Sequence, residues 1–199
     1  MSPAVLYRRL PGEGLDAFIA GFRKAAGHDP FGTVFIAPTA SLAREVVRRL
    51  GEEGVPLVAD AVTTLAGIAR KIVSEHAARE TSIPAAGSRL IIARLLAGGD
   101  YPLLSGAGAV DDLAILFSVL TMRKVDYPAA LGDLQGAKSA EIAALYRTYT
   151  RFLDGHRLID ESTLTARAIR LLSGDFRTVY VYGLFEPMPL ERDLLLALR

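Results

Sequence analysis

Short apolar segments alternate with amphipathic helical segments in the first part of the chain, and this order restricts the fold more than any other feature. β-Branched and aromatic residues predict strands at Ala4 to Arg8, Thr33 to Ala37 and Leu57 to Val62, each bounded by Gly, Pro or Asp. Helical periodicity fills the two intervals, at Leu15 to Ala26 and at Ser41 to Glu53. This order predicts an α/β fold around a parallel sheet with right-handed crossovers.

The pattern changes after a further predicted helix at Thr64 to His76. From about Ile83 to Leu172 the apolar residues recur only at helical spacing, and a fourth strand is predicted at Thr178 to Val181. The four helices predicted in this block are Ala86 to Ala97, Ala109 to Lys124, Ser139 to Leu153 and Glu161 to Leu172. We therefore predict a core made of residues 1–82 and 175–199, interrupted by an inserted all-helical subdomain at residues 83–174.

Composition excludes several classes of protein. With 51% hydrophobic and 23% charged residues the chain is globular, and its lack of cysteine excludes disulfides, thiolate metal sites and cysteine catalysis. No segment resembles a signal peptide, and no apolar run approaches the roughly 20 residues of a membrane span. We therefore predict a cytoplasmic protein without a membrane partner. Only four of the 23 basic residues are lysines, and the rest are arginines. Arginine is well suited to bind phosphate, but a general compositional bias of the genome explains the excess of arginine equally well.

The first predicted strand leads into a glycine turn that lacks the groups of a nucleotide site. In a P-loop, backbone N–H groups and a helix N-terminus cradle phosphate, while a lysine reaches its terminal oxygens. The turn here contains Gly12 and Gly14, but Leu15 stands at the lysine position and Asp16 at the position of the Mg²⁺-binding hydroxyl. Since a first-turn carboxylate satisfies the helix N-terminus and repels triphosphate, we predict a self-capped helix.

The second and third strands are followed by small polar side chains. Thr39, Ser41 and Arg44 come at the start of the second helix, and Thr63 and Thr64 follow the third predicted strand. A helix N-terminus with free N–H groups can hold a phosphate of a ligand or of a nucleic-acid backbone, although Ser41 is equally well explained as a plain N-cap. Because ligands bind at the carboxyl ends of parallel strands, these residues predict a binding surface rather than a catalytic site.

Three segments together resemble a known family. They read FIAPTASLARE, VTTLAGIARKI and VYVYGLFEPMPLERDLLLAL. The first is similar to the DNA-contacting motif Ia of superfamily 1 helicases, the second to the motif that follows it, and the third to the Walker B strand and the turn after it. The chain resembles still more the N-terminal part of the AddB-type subunit of bacterial and archaeal helicase-nuclease complexes, including variants without a working ATPase. The resemblance covers nearly the whole chain, and motif order supplies most of its specificity.

The resemblance implies a RecA-like, P-loop NTPase-like sheet with helices on both faces and an inserted helical subdomain. An active helicase has Asp-Glu at the positions of Tyr182 and Gly183, and Glu186 lies about four residues too late to replace them. The resemblance therefore implies a segment that uses neither ATP nor Mg²⁺. It further implies single-stranded DNA bound by Thr39, Ser41, Arg44, Thr63 and Thr64, a catalytic helicase-nuclease partner, and a role in DNA repair and recombination.

Two other hypotheses stay open at this stage. One is a divergent nucleotide-binding enzyme that uses Arg8 or Arg9 with the turn from Gly12 to Gly14, and the other is a structural or adaptor domain. The three histidines have no neighbours at metal-ligand spacing; they are His28, His76 and His156. The helix that starts at Pro189 stops without a C-cap glycine, which favours a fragment of a longer protein, with any nuclease domain outside this chain.

Overall fold

The computed structural model describes residues 5–9, 14–77, 79–125, 136–172 and 176–199. Its strands are β1 (Val5–Arg9), β2 (Thr33–Ala37), β3 (Val62–Thr64), β4 (Thr81–Ser82), β5 (Leu158–Ile159) and β6 (Thr178–Tyr182). Its α-helices are α1 (Leu15–His28), α2 (Ala40–Glu52), α3 (Leu65–His76), α4 (Ala85–Gly98), α5 (Ala109–Met122), α6 (Ala137–His156), α7 (Glu161–Leu171) and α8 (Pro189–Ala197), with a 3-10 turn at Pro102–Leu104. None of these helices is both long and apolar enough to cross a membrane.

The main sheet has four parallel strands in the order β1-β6-β2-β3. This confirms the predicted α/β class and the parallel sheet. The last of the described strands, β6, lies between the first two, with Val5 and Thr33 both in register with Thr178. All five residues of β2 are buried. Because alternate side chains point to opposite faces, both faces of β2 are covered.

Aromatic rings from α1 and the sheet form the core on one face. Phe18 and Phe22 of α1 both meet Tyr180 edge to face, with ring centroids 5.1 and 5.7 Å apart. Phe35 of β2 packs against the same two α1 rings. Val46 and Leu50 belong to this cluster, which places α2 beside α1 on this face of the sheet. The helical spacing of these apolar residues explains why both segments fold as helices once they cover the strands.

The third strand was predicted at the wrong residues. The structure begins β3 at Val62, where it pairs with Phe35, rather than at Leu57. Asp60 has φ 62°, a left-handed conformation that interrupts an extended strand. Leu57 and Val58 still pack against the aromatic core, but as part of a loop. The apolar residues Leu57 and Val58 were therefore correctly expected to pack against the core, but they do not belong to a strand.

The chain forms two compact units. One comprises the described residues up to His76 together with those from Arg167 on, and the other runs from Ala77 to Ala166. The second unit contains α4, α5 and α6, whose core includes Ile92, Phe117 and Leu145.

The expectation of no strand between Ile83 and Leu172 is wrong in one place. Leu158 and Ile159 pair in parallel with Thr81 and Ser82. The backbone N–H of Thr81 donates to the Arg157 carbonyl at 2.9 Å. A strand of two residues is too short for periodicity to detect, and its partner lies far away in the sequence.

Candidate functional site

The carboxyl ends of the strands lie in register at one edge of the main sheet. Arg9 pairs with Tyr182, and Ala37 pairs with Thr64. The segments that follow these strands therefore leave the sheet at the same edge. This edge is where open parallel sheets bind ligands.

At the start of α2 the capping residue is Thr39. Its backbone is extended, and its Oγ1 accepts a hydrogen bond from the Leu42 N–H at 3.2 Å. The prediction of Ser41 as N-cap is wrong, because the Thr39 carbonyl already accepts the Ala43 N–H and so begins the helix two residues earlier. Ser41 is exposed in the first turn, where its Oγ accepts from the Arg44 guanidinium at 3.3 Å.

The electrostatics at the start of α2 favour an anion. The first turn of α2 contains no acidic residue, and Thr39, Ser41 and Arg44 are all exposed. The helix dipole and the unpaired N–H groups of a first turn attract negative charge. The three side chains therefore lie at an exposed helix end, and no acidic residue of the first turn offsets its partial positive charge.

The hydroxyls of Thr63 and Thr64 face the first turn of α3. Thr64 Oγ1 accepts from the Gly67 N–H at 3.1 Å, and a Cβ added at Gly67 would lie 2.1 Å from Thr63 Oγ1. Both residues are half-buried and end β3 rather than follow it. A hydroxyl that accepts one bond still carries a hydrogen to donate, so Thr64 retains one for a ligand.

The start of α1 differs from the predicted self-capped helix. Gly14 precedes the helix with φ 49°, and Asp16 lies in the first turn, where its carboxylate accepts from Arg49 of α2 at 2.8 Å. Asp16 is thus engaged by a neighbouring helix rather than by its own N–H groups. Leu15, at the lysine position, is partly buried against the aromatic core. Gly12 lies outside the described residues.

At the tip of β6 the two positions of the missing acids have structural roles. The Tyr182 side chain is buried, with its ring 5.9 Å from that of Phe18. Gly183 has φ 72°, and a Cβ there would lie 3.1 Å from Pro38 Cγ. An aromatic core residue and a close backbone approach therefore occupy the end of this strand.

Arg8 connects β1 to the loop after β6. Its Nη2 donates to the carbonyl oxygens of Leu184 at 3.0 Å and Phe185 at 3.3 Å. The guanidinium proposed for a nucleotide is thus bonded to the protein itself. The side chain of Arg9 lies outside the described residues. Phe185 is 67% exposed.

The sequence interpretation missed a polar cluster in the second unit. It lies beside a cavity of about 240 Å³ lined in part by Tyr149, Asp160 and Ser162. Asp160 Oδ2 accepts from the Tyr149 hydroxyl at 2.8 Å, and Oδ1 accepts from the Ser162 hydroxyl and from the Thr163 N–H. Burial, with the Asp160 carboxylate, raises the pKa of Tyr149.

This cluster caps a helix. The Asp160 carboxylate bonds the third N–H of α7, and Thr163 Oγ1 accepts from the Asp160 N–H at 3.1 Å. The sequence Asp-Glu-Ser-Thr before a helical pattern was the signal that could have revealed it. Because both carboxylate oxygens are bonded by neighbouring groups, the geometry explains Asp160 as a structural residue.

Each of the three histidines ends a helix. His28 ends α1, His76 ends α3 and His156 ends α6. His76 and His156 also contact carbonyls of their own helices through Nδ1. In the part of the chain that the structure describes, no three His, Cys, Asp or Glu residues come together as a metal site.

The fold and this edge define an α/β protein whose parallel strand ends form an exposed surface. Comparison with models of known protein families and with curated proteins finds no match for the chain. The likeness to the AddB-type domain therefore rests on the three motifs and their order.

Proposed function

We propose that this chain is a non-hydrolysing, helicase-like domain that binds single-stranded DNA and docks a catalytic helicase-nuclease subunit in DNA end processing. Its α/β core is RecA-like, with helices on both faces, and residues 83–174 are its inserted helical subdomain. The observation that carries the proposal is the register of the strands. It brings the start of α2 and the end of β3 to the same edge of the sheet.

The start of α2 supports the choice of a phosphate backbone as ligand. Thr39 and Ser41 offer hydroxyls, Arg44 offers an exposed guanidinium, and no acid competes in the first turn. Hydroxyls, arginines and helix N-termini are the groups that commonly contact phosphate without reading sequence. DNA bound here is accordingly held without base-sequence specificity.

The other strand tips support the absence of hydrolysis. Phosphoryl transfer needs a cation on the transferred phosphate and a carboxylate on Mg²⁺. Leu15 is partly buried against the core, Asp16 pairs with Arg49, and Tyr182 is buried against Phe18. None of these three residues supplies the group that an ATPase needs at its position.

The affinity for DNA is tested by fluorescence anisotropy with a labelled oligo(dT), over a series of salt concentrations. The logarithm of the association constant should fall with the logarithm of salt at roughly 0.7 per phosphate contacted. Arg44→Ala should weaken binding and reduce that slope by about 0.7, because it removes one phosphate contact.

The matched control is Arg48→Ala, one turn further along α2. Arg48 is held by the carboxylates of Glu45 and Glu52, so its loss should weaken binding less than the loss of Arg44 and should leave the slope unchanged. A chain that binds no oligonucleotide at low salt would contradict the proposal, and so would equal effects of the two substitutions.

A thermal shift with ATP and Mg²⁺ separates this function from the nucleotide-binding alternative. A ligand that binds the native state must raise the melting temperature. We expect no shift at millimolar ATP but a shift with oligo(dT). A shift with ATP alone would favour the enzyme hypothesis, and a shift with neither ligand would favour the adaptor domain.

A further inference from the structure

Phe185 presents an apolar ring to solvent at the carboxyl edge of the sheet. Its exposed fraction is 67%, whereas Tyr182, at the end of β6, is buried. An isolated exposed phenylalanine is not unusual on a protein surface. What distinguishes Phe185 is the way in which the backbone that carries it is held.

Contacts hold this loop at three points. Gly183 approaches Pro38, Arg8 bonds the carbonyls of Leu184 and Phe185, and the Met188 N–H donates to Glu191 at 2.8 Å as α8 begins. The main chain on both sides of the ring is therefore fixed. The Phe185 ring is exposed although its backbone is anchored, which is the arrangement of a preorganised contact residue.

The loop lies beside the start of α2. Gly183 touches Pro38, the residue before Thr39, and Phe185 follows Gly183 by two residues. Two residues of extended chain span at most about 7 Å. The ring is thus close enough to the exposed end of α2 for one short segment of a ligand to contact both.

The chemistry of the two exposed groups gives such a ligand a direction. Around the loop, the charge of Glu186 is offset by the Arg8 guanidinium, which is bonded to the carbonyls of Leu184 and Phe185, so the loop offers mainly the Phe185 ring. The start of α2 offers hydroxyls, N–H groups and Arg44 to phosphate, and a single strand that crosses this edge can therefore turn its phosphates toward α2 and its bases toward the loop. Stacking on an aromatic ring is the contact that every base can make there.

We infer that Phe185 is a base-stacking residue for an unpaired nucleobase of the single strand whose phosphates lie at the start of α2. This inference rests on the proposed function, and it adds that the protein contacts a base of the DNA as well as its phosphates. It gives the edge two kinds of contact: salt-dependent contacts to phosphate at Thr39, Ser41 and Arg44, and a salt-independent contact to base at Phe185.

The chain has no tryptophan, which provides a direct test. In the full chain, Phe185→Trp introduces a single reporter whose fluorescence should be quenched by oligo(dT) and not by an abasic deoxyribose-phosphate oligomer of equal length. The matched control is Phe31→Trp. Phe31 is 77% exposed, but it precedes β2 and so lies at the amino edge of the same sheet. No quenching is expected there.

Affinity provides the second readout. Phe185→Ala should weaken oligo(dT) binding about tenfold, the usual effect of losing one stacked base, without changing the salt slope or the affinity for the abasic oligomer. Equal weakening for both oligomers, or equal quenching by both, would overturn the assignment of stacking.

The outcomes also separate this inference from the proposed function. If Arg44→Ala weakens binding and Phe185→Ala does not, the stacking role is wrong and DNA binding stands. If the unaltered chain binds neither oligomer at low salt, both proposals are wrong.

Discussion

Gly183 is a residue of the candidate edge at which a single added atom is disfavoured both by backbone conformation and by a neighbour. Its φ of 72° disfavours any side chain, and a Cβ would meet Pro38 Cγ at 3.1 Å. We expect Gly183→Ala to lower the free energy of unfolding by about 1–3 kcal/mol. Urea denaturation at constant pH measures this difference.

The control for this substitution is Gly51→Ala. Gly51 lies near the end of α2, and a Cβ there would have no neighbour within 4 Å. Alanine in a helix is favoured over glycine by up to about 1 kcal/mol, so this variant should be neutral or more stable. Equal effects of the two substitutions would contradict the conformational argument at Gly183.

Single residues show where sequence reasoning succeeded and where it failed. The sequence alone shows that Tyr182 and Gly183 stand where an ATPase has acids. It does not show that Tyr182 packs against Phe18 or that Gly183 approaches Pro38, because these contacts join elements distant in the chain. The interpretation of Ser41 as the N-cap of α2 also failed, because Thr39 holds that position. Both residues are good caps, and only the backbone conformation decides between them.

At the scale of the element, the cap of α7 has the largest expected effect on stability. Asp160 is buried, and replacing it by alanine removes the cap and leaves the Tyr149 and Ser162 hydroxyls without this acceptor. We expect Asp160→Ala to lower the free energy of unfolding by about 2–4 kcal/mol.

Asp154→Ala is the comparison, because Asp154 is exposed on α6 in the same unit. Its effect should stay within about 0.5 kcal/mol. Chemical denaturation followed by circular dichroism measures both variants. A loss at Asp160 no larger than that at Asp154 would show that the cap contributes little.

The ion pairs on the exposed side of helix α2 predict a lowered pKa for one of its carboxyl groups. Hydrogen bonds from Arg48 and then from Arg49 lower the pKa of Glu45 to about 2. Because the folded-state pKa is below the usual 4.5, the contribution of Glu45 to stability is complete above pH 4.5 and is lost as pH falls toward 2.

Titration of the Glu45 carboxyl by NMR checks this depressed pKa. Salt at 0.5 M should raise it toward the ordinary value, because exposed pairs are screened. Arg49→Met should raise it as well. A pKa that responds to neither change would contradict the assignment to Arg48 and Arg49.

Elements were predicted well where their pattern was long. Periodicity placed α1 and α2 within two residues of their bounds, because their apolar residues cover one another in the core, whereas β2 was identified by a short run of β-branched and apolar residues. β3 and β5 were misplaced or missed for a physical reason. Strands of two or three residues are defined by their pairing partners rather than by their own residues. The left-handed backbone of Asp60, which interrupts the predicted strand, cannot be recognised from the residue type alone.

For the whole molecule, buried tyrosines predict a loss of stability in alkali. Burial, with the Asp160 carboxylate, raises the pKa of Tyr149, and burial together with Tyr7 raises the pKa of Tyr180. Each raised pKa contributes stability that is complete below pH 10 and is lost as pH rises above it. The urea concentration at the midpoint of unfolding should therefore decrease as the pH is raised above 10.

Tyr149→Phe separates one of these two contributions. The variant should be less stable by about 1 kcal/mol at neutral pH, since it loses the bond to Asp160, but its urea midpoint should fall less steeply above pH 10. The same midpoint-against-pH series measures both chains. Parallel curves for the variant and the unaltered chain would exclude Tyr149 as a source of the alkaline transition.

The position of β6 has a consequence for the order in which the molecule is made. Among the described strands β6 is synthesised last, yet it separates β1 from β2 in the finished sheet. On the ribosome, β1 therefore lacks its partner in this sheet until residues 178–182 have emerged, and the N–H and C=O groups of β2 that pair with β6 are unpaired until then. Nascent chains that stop before β6 should be protease-sensitive and should depend on chaperones, whereas chains extended through it should become resistant in a single step.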